Sequence, residues 1–252
     1  MLSRLRSIIS GAPNWLYAFI TSVSWLIRPN HKDVIIVPYG KYWLATDFHS
    51  KLIAPTPKTF PGRIPFAEPY ERYFKVKEGD VVFDAGAEIG GFTISVARKA
   101  SHVIAIEPEP INVKMLRVNV TINNLCNVDI VERGLWNRRA ILDLHLSNEQ
   151  GSHSLIYDWG KRDVKVQVDT LDNIVSELGI KRIDFLKMDI EGAELEALEG
   201  AKHTLDIVNK VAIAAYHVRD GQKTSQHVLR ILKREGFKAF ISNDFVYAWK
   251  NL

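Results

Sequence analysis

Residues 81–107 read VVFDAGAEIGGFTISVARKASHVIAIE. Val81, Val82 and Phe83 make an apolar run too short for a helix and right for a buried strand. Asp84 ends the run, and Gly86, Gly90 and Gly91 follow in what reads as a tight loop. Ile94, Val96 and Ala97 supply the apolar positions of a helix that returns across a sheet. His102 to Ile106 is a second strand, and it ends on Glu107. The whole is a β-α-β unit with a glycine turn and an acid about 20 residues further on, the layout of a nucleotide-binding crossover.

The loop residues discriminate between ligands. A dinucleotide loop wants G-x-G-x-x-G, but the aligned positions hold Asp84, Gly86 and Ile89, so two glycines are missing. The loop has no Lys or Arg and carries Asp84 and Glu88, which would repel a pyrophosphate. Those acids suit a ligand bearing an ammonium and a sulfonium, and Glu107 can accept hydrogen bonds from two ribose hydroxyls. S-adenosylmethionine fits that description and NAD does not. An ordinary strand–turn–helix with an acidic cap is the bland alternative. The D-x-G-x-x-x-G spacing of Asp84, Gly86 and Gly90 with the distal Glu107 exceeds what a cap requires.

Outward from this unit, the chain divides into an appendage (1–32), a lead-in segment (33–78) and the ligand-binding domain (79–252). In the appendage, Leu2, Leu5, Ile8 and Ile9 form an apolar face beside Arg4 and Arg6. The apolar stretch from Trp15 to Ile27 is shorter than the roughly 20 residues a membrane span needs. Arg28-Pro29-Asn30 does not supply a signal-cleavage site. Two readings stand: a helix packed on the domain, or an interfacial helix that makes residues 1–28 peripheral to a membrane. In the lead-in, residues 33–46 suggest a hairpin around Pro38-Tyr39-Gly40. Prolines then crowd an irregular stretch up to Tyr70 whose Phe48, His49, Phe60, Arg63 and Phe66 could line a cleft. Ala67 to Phe74 reads as a short helix.

Composition excludes several classes. A net charge of +4 is too balanced to argue for nucleic acid. One cysteine, Cys126, gives neither a disulfide framework nor a Cys-rich metal site, and it suits a cytoplasmic protein. No metal ligand set is expected.

Beyond Glu107, prolines 108 and 110 open a helix to about Asn124, and Asn127 to Glu132 is a third strand. Ile141–Leu146 and Val164–Val168 alternate like strands with one wet face, and Thr170 and Asp172 cap a helix. Ile183 to Met188 is a fourth sheet strand that delivers Asp189 to the carboxyl edge, where open α/β sheets bind ligands. Glu191 and Glu194 fall in the first turn of the next helix. For Glu194 the reading is a dipole complement. A fifth strand, Lys210 to Tyr216, ends at His217, a candidate base. A helix to Glu235 and a closing hairpin, Phe237–Ile241 with Phe245–Trp249, complete the chain.

Two blocks, DAGAEIGGFTI…VIAIEPEPINVKMLRVNVTINN and LKMDIEGAELEALEGA, together resemble the FkbM family of methyltransferases. The resemblance spans roughly Gly79 to His217. It implies a Rossmann-like class I methyltransferase fold: a mainly parallel seven-stranded sheet, helices on both faces, and a C-terminal antiparallel hairpin. It implies S-adenosylmethionine as cofactor and O-methylation of a small-molecule or glycan hydroxyl. Cofactor contacts then fall on Asp84, Gly86, Glu88, Gly90, Glu107 and Asp189. The carboxyl end of the third strand, which faces adenine in such enzymes, adds Gly134 and Trp136, although a tryptophan packed in the core is the commoner outcome. The family's KxDxEGxE block supports Asp189 and Glu191 as catalytic, with His217 as the alternative base. Two positions depart from the pattern: Ala215 stands where a glutamate is usual, and Glu88 where an asparagine is usual. An RNA methyltransferase shares the loop but carries N/D-P-P-Y/F where MDIEG stands here. A cofactor-binding or membrane-associated scaffold without catalysis is the remaining alternative, hinted at by Ala215.

Overall fold

The computed structural model describes residues 34–39, 42–47, 67–147, 152–160, 162–219 and 221–250. The appendage 1–32 and the proline-rich stretch 48–66 lie outside the described residues, and with them the membrane reading of residues 1–28 and the cleft reading of Phe48, His49, Phe60, Arg63 and Phe66. Two short strands, β1 (Val34–Tyr39) and β2 (Tyr42–Asp47), pair as the expected hairpin.

The sheet grows from β3 (Val81–Ala85) and β4 (His102–Ile106), joined by α1 (Gly91–Ala97). Helix α2 (Pro110–Ile122) leads to β5 (Val128–Val131). Strands β6 (Gly134–Leu135), β7 (Ala140–Leu146) and β8 (Arg162–Asp169) form a separate three-stranded sheet, and α3 (Leu171–Glu177) follows. The main sheet resumes with β9 (Phe185–Met188), α4 (Glu194–Glu199) and β10 (Lys210–Ala214). A small ribbon of β11 (Val218–Arg219) and β12 (Gln222–Lys223), helix α5 (Thr224–Arg234), then β13 (Lys238–Ser242) and β14 (Phe245–Trp249) complete it. The seven strands run in the order β13-β14-β10-β9-β3-β4-β5. All neighbours from β10 to β5 are parallel, and β14 is antiparallel to both its partners.

Both faces of the central strands β3, β4, β9 and β10 are buried, which is why they read as near-continuous apolar runs rather than alternating ones. Phe83, Ile104, Leu186 and Ile213 pack on one side, and Val82, Val103, Phe185 and Ala212 on the other. The second face also takes Tyr70, Phe74 and Val76 from the end of the lead-in, with Tyr70 edge-on to Phe92 and Phe245. Residues 67–74 form turns rather than the expected helix. Pro69 sits inside the segment, and its carbonyl is taken by the Tyr247 hydroxyl at 2.6 Å instead of by a helical amide.

Register fixes the site. Ala85 lies opposite Ile106 on one side and Met188 on the other, so the residues that follow these three strands leave the sheet at one edge. Gly86 turns there with φ of 74°, and a Cβ on it would meet the Asp189 carbonyl oxygen at 1.8 Å. Gly90 caps α1 at φ 95°, where a Cβ would meet Leu116 at 2.6 Å. The loop therefore lies close to the end of β9 at Gly86 and to α2 at Gly90 because neither glycine carries a side chain. In a Gly86→Ala protein we expect a loss of at least about 1–3 kcal/mol in urea unfolding, since strain and backbone displacement act together. Unaltered stability would contradict this packing of the loop on Asp189.

Candidate active site

A lysine under the loop organises it. Lys187, in the middle of β9, is buried, and its Nζ lies 3.0 Å from Asp84 Oδ1. The same amine donates to the carbonyls of Gly86 at 2.6 Å and Ala85 at 3.3 Å. Asp84 Oδ2 accepts from the Thr93 hydroxyl at 2.6 Å. Burial works against the lysine's charge, and the carboxylates of Asp84 and Asp189 outweigh it, holding its pKa above the ordinary range. Asp84, expected at the ligand, is fully buried and engaged by Thr93 and Lys187, and it shapes the loop from beneath.

Above the loop opens a cleft of about 460 Å³, its mouth included, lined by Gly86, Glu107, Gly134, His153, Leu155 and Ile190 among others. Glu107, at the end of β4, is nearly buried. Its Oε2 accepts from the Glu88 amide at 2.9 Å, and its Oε1 from the Glu109 amide at 3.0 Å and the Asn112 side chain at 3.2 Å. A carboxylate offers about four acceptor positions, so roughly one remains for a ligand where two were expected. Burial pushes Glu107 up to about 7, against the lowering effect of those hydrogen bonds. Glu88, at φ 52°, is likewise pushed up to about 7, by burial and then by Glu107, and its Oε1 is buried with no protein partner.

Trp136 stands apart from this cleft. It packs against the Leu144, Val166 and Val168 cluster of the small sheet, and its amide donates to the Asp169 carbonyl at 2.9 Å. Of its two readings, a cover for a base or a core residue, the packing agrees with the second, and His153, Leu155 and Pro108 line the wall beside Gly134. The His153 Nδ1 accepts from the Ser147 amide at 3.0 Å, and burial holds this imidazole below its usual range.

A second group gathers beyond Gly86, at the ends of β9 and β10. The Asp189 Oδ2 accepts from the Tyr70 hydroxyl, while its Oδ1 is buried without a partner among the described residues. Burial raises the Asp189 pKa, Lys187 opposes and Glu191 adds to the rise. Glu191 is not in the helix expected for it. It sits before α4 at φ 52°, accepting from the Tyr216 hydroxyl at 2.6 Å and facing His217 Nε2 at 3.1 Å. Glu194 is fully buried; it accepts from the Gly192 amide at 2.9 Å and lies 3.8 Å from His217 Nδ1. Burial pushes Glu194 up to about 7. Burial depresses the His217 imidazole, but Glu191 and Glu194 outweigh it and hold its pKa above the usual range. Ala215, where the sequence departs from the family pattern, is fully buried in the core.

The structure thus brings Gly86, Glu107 and Gly134 into one cleft, with Glu88 at its loop, and groups Asp189, Glu191 and His217 beside it. Four contributors were missed. Lys187 had a signal, a cation inside an apolar strand. Tyr70 had none, since its partner lies 119 residues away. Glu194 was read as a helix complement, and Tyr216 as the end of a strand that stops at Ala214.

The chain is similar to known proteins. The family model described as "Methyltransferase FkbM domain" matches residues 84–239. Methyltransferase 1 of Beauveria bassiana is 28% identical over 156 residues, which cover 52% of this chain and 63% of that protein. The 2-O-methyltransferase NoeI of Sinorhizobium fredii is 28% identical over 148 residues, covering 51% of this chain and 60% of its own. The chain thus spans less than two thirds of either relative. The crystal structure of methyltransferase FkbM from Methylobacillus flagellatus superposes with a TM-score of 0.51 at 22% identity, over 73% of this chain and 48% of that one.

The buried acids set a pH dependence. Glu88, Glu107 and Glu194 hold protons to about 7 in the folded chain, against an ordinary 4.5. Between those values the folded state binds more protons than the unfolded one, so stability falls as pH rises. His217, with its raised pKa, loses its contribution in the same direction above its ordinary 6.5. Asp169 and Glu177 are lowered, so their contributions are already in place above about pH 5 and do not oppose the trend. A melting temperature that is lower at pH 8 than at pH 5.5, with a shallower slope in Glu194→Gln, is the expected result; a rise over that window would contradict it.

Proposed function

Because the chain belongs to the FkbM family of methyltransferases, we propose that it transfers the methyl group of S-adenosylmethionine to a hydroxyl of a small molecule or glycan. One observation carries the reading: Gly86 both lines the Glu107 cleft and abuts the Asp189 backbone, so the cleft and Asp189 adjoin the same turn. The residues fit the cofactor. Glu107 retains an acceptor position for a ribose hydroxyl, and the buried Glu88 Oε1 is an acceptor awaiting a donor. Lys187 is neutralised from below, so the loop presents no phosphate-binding cation.

When bound, the cofactor supplies an already electrophilic methyl group. The protein's tasks are then to align the acceptor, exclude water and remove one proton. Asp189 suits the last. Its Oδ2 is fixed by Tyr70, its Oδ1 is unclaimed, and its raised pKa makes it a stronger base than an ordinary aspartate. His217 is a poorer base in this arrangement, because flanking carboxylates favour its protonated form. Glu191 fixes Tyr216 and His217 beside the acceptor. The name of the Sinorhizobium relative, a 2-O-methyltransferase, agrees with oxygen as the target.

The test has two arms. Calorimetry should show binding of S-adenosylmethionine and its demethylated product but not of NAD, with Glu107→Ala weakening it by about 1.5–3 kcal/mol. Turnover, followed with methyl-labelled cofactor over fractionated glycans and small metabolites, should fall about 10²–10⁴-fold in Asp189→Asn with cofactor affinity nearly unchanged. Tight NAD binding, or full activity in Asp189→Asn, would sink the respective assignment.

A further inference from the structure

One exposed ring beside the acid group is held too firmly to be an ordinary surface tyrosine. Tyr216 is 42% exposed, yet its hydroxyl donates to Glu191 at 2.6 Å and its ring lies on His217 at 4.3 Å between centroids. The His217 ring stacks in turn on Tyr157 at 5.4 Å, and Tyr157 neighbours Trp159 at 6.0 Å. Tyr157 is itself tied by its hydroxyl to the Val218 carbonyl at 3.2 Å. The result is a run of rings, one pair stacked at 24° and two tilted at 33° and 38°, with Tyr216 and Trp159 exposed at its ends.

We propose that the Tyr216 ring is the platform on which a neutral sugar ring of the acceptor stacks, with a hydroxyl directed at Asp189. The proposal deepens the methyl-transfer reading and rests on it. Three features select this class. The face of an aromatic ring is negative, and the ring C–H bonds of a pyranose are polarised positive, so the two faces attract. The sugar's rim carries hydroxyl donors, and the neighbouring Asp189 Oδ1 is an acceptor with no protein donor. Anionic acceptors are disfavoured because, among the described residues, the cations Lys187 and Arg219 are already engaged, by Asp84 at 3.0 Å and by both oxygens of Glu196 at 2.8 Å. A catechol offers the acids only two hydroxyl donors, fewer than a hexopyranoside does.

A rigid exposed ring also costs little entropy to use. The hydrogen bond to Glu191 and the contact with His217 already fix both its torsions, so stacking immobilises only the ligand. Tyr216 is therefore a specificity residue: its ring, still held against His217 without the hydroxyl, supplies the platform.

Saturation-transfer NMR tests this with the full chain, with and without the demethylated cofactor, whose binding is followed separately by calorimetry. The probes are neutral methyl hexopyranosides, a methyl glucuronide and catechol. Saturation of the ring C–H protons of at least one neutral glycoside is expected, with the glucuronide and catechol weaker. In Tyr216→Ala the affinity should drop at least about tenfold, and in Tyr216→Phe it should be largely kept. Product binding should be unchanged in both variants, which shows that they are folded. No glycoside binding, a preference for the glucuronide or catechol, or equal affinity in Tyr216→Ala would overturn the platform. Loss of product binding by the unaltered protein would instead overturn methyl transfer, while glycoside binding read alone still decides the platform.

Discussion

A lysine amine buried beneath a loop destabilises a fold unless every one of its protons finds an acceptor. Here Lys187 finds the Asp84 carboxylate and the carbonyls of Ala85 and Gly86, which are the residues where β3 becomes the loop. The strand end, the turn and β9 are thereby pinned to one point. Asp84 passes the restraint on to α1 through the Thr93 hydroxyl. The loop's height above the sheet, and with it the floor of the cleft, depends on this pair. Without the lysine, Asp84 would be an uncompensated charge at zero exposure.

The same pair lets acids crowd the site. Glu88, Glu107, Asp189, Glu191 and Glu194 lie within electrostatic reach of one another or of the lysine. Left alone, so many carboxylates would repel, and burial would protonate most of them. Lys187 lowers Glu88 and Asp189, and His217 lowers Asp189 and Glu194, so part of the charge persists at neutral pH. That retained negative charge, with acceptors left open at Asp189 and Glu88, suits ligands rich in donors and positive charge.

Much of this was legible in the sequence. The VVFDAGAEIGG stretch specifies strand, turn and helix by itself, because an apolar run, glycines at strained positions and a second apolar period leave no other element. Glu107 and Asp189 were legible because strand ends are set by where apolar runs stop. What the sequence could not show is pairing at distance. Tyr70 reaches Asp189 from a proline-rich segment whose pattern announces nothing, and Glu194 looks like a helix cap until its complete burial is seen. Trp136 misled for a related reason. A tryptophan after a strand satisfies either a ligand or a core, and the small sheet formed by β6, β7 and β8 supplied the core. Lys187 was overlooked because the search for cations stopped at the loop, and the cation came from the neighbouring strand.

The dependence of the site on the buried pair is open to a double-mutant cycle over Asp84→Asn and Lys187→Met, read by urea unfolding and by affinity for S-adenosylmethionine. Breaking a buried pair from one side costs about 3–5 kcal/mol, because the surviving charge is left without its partner. Each single variant should lose stability of that order and should also lose cofactor affinity as the loop shifts. The double variant should be less destabilised than the sum of the two, since no orphaned charge remains. Strictly additive losses, or single variants that bind cofactor as the unaltered protein does, would contradict the account.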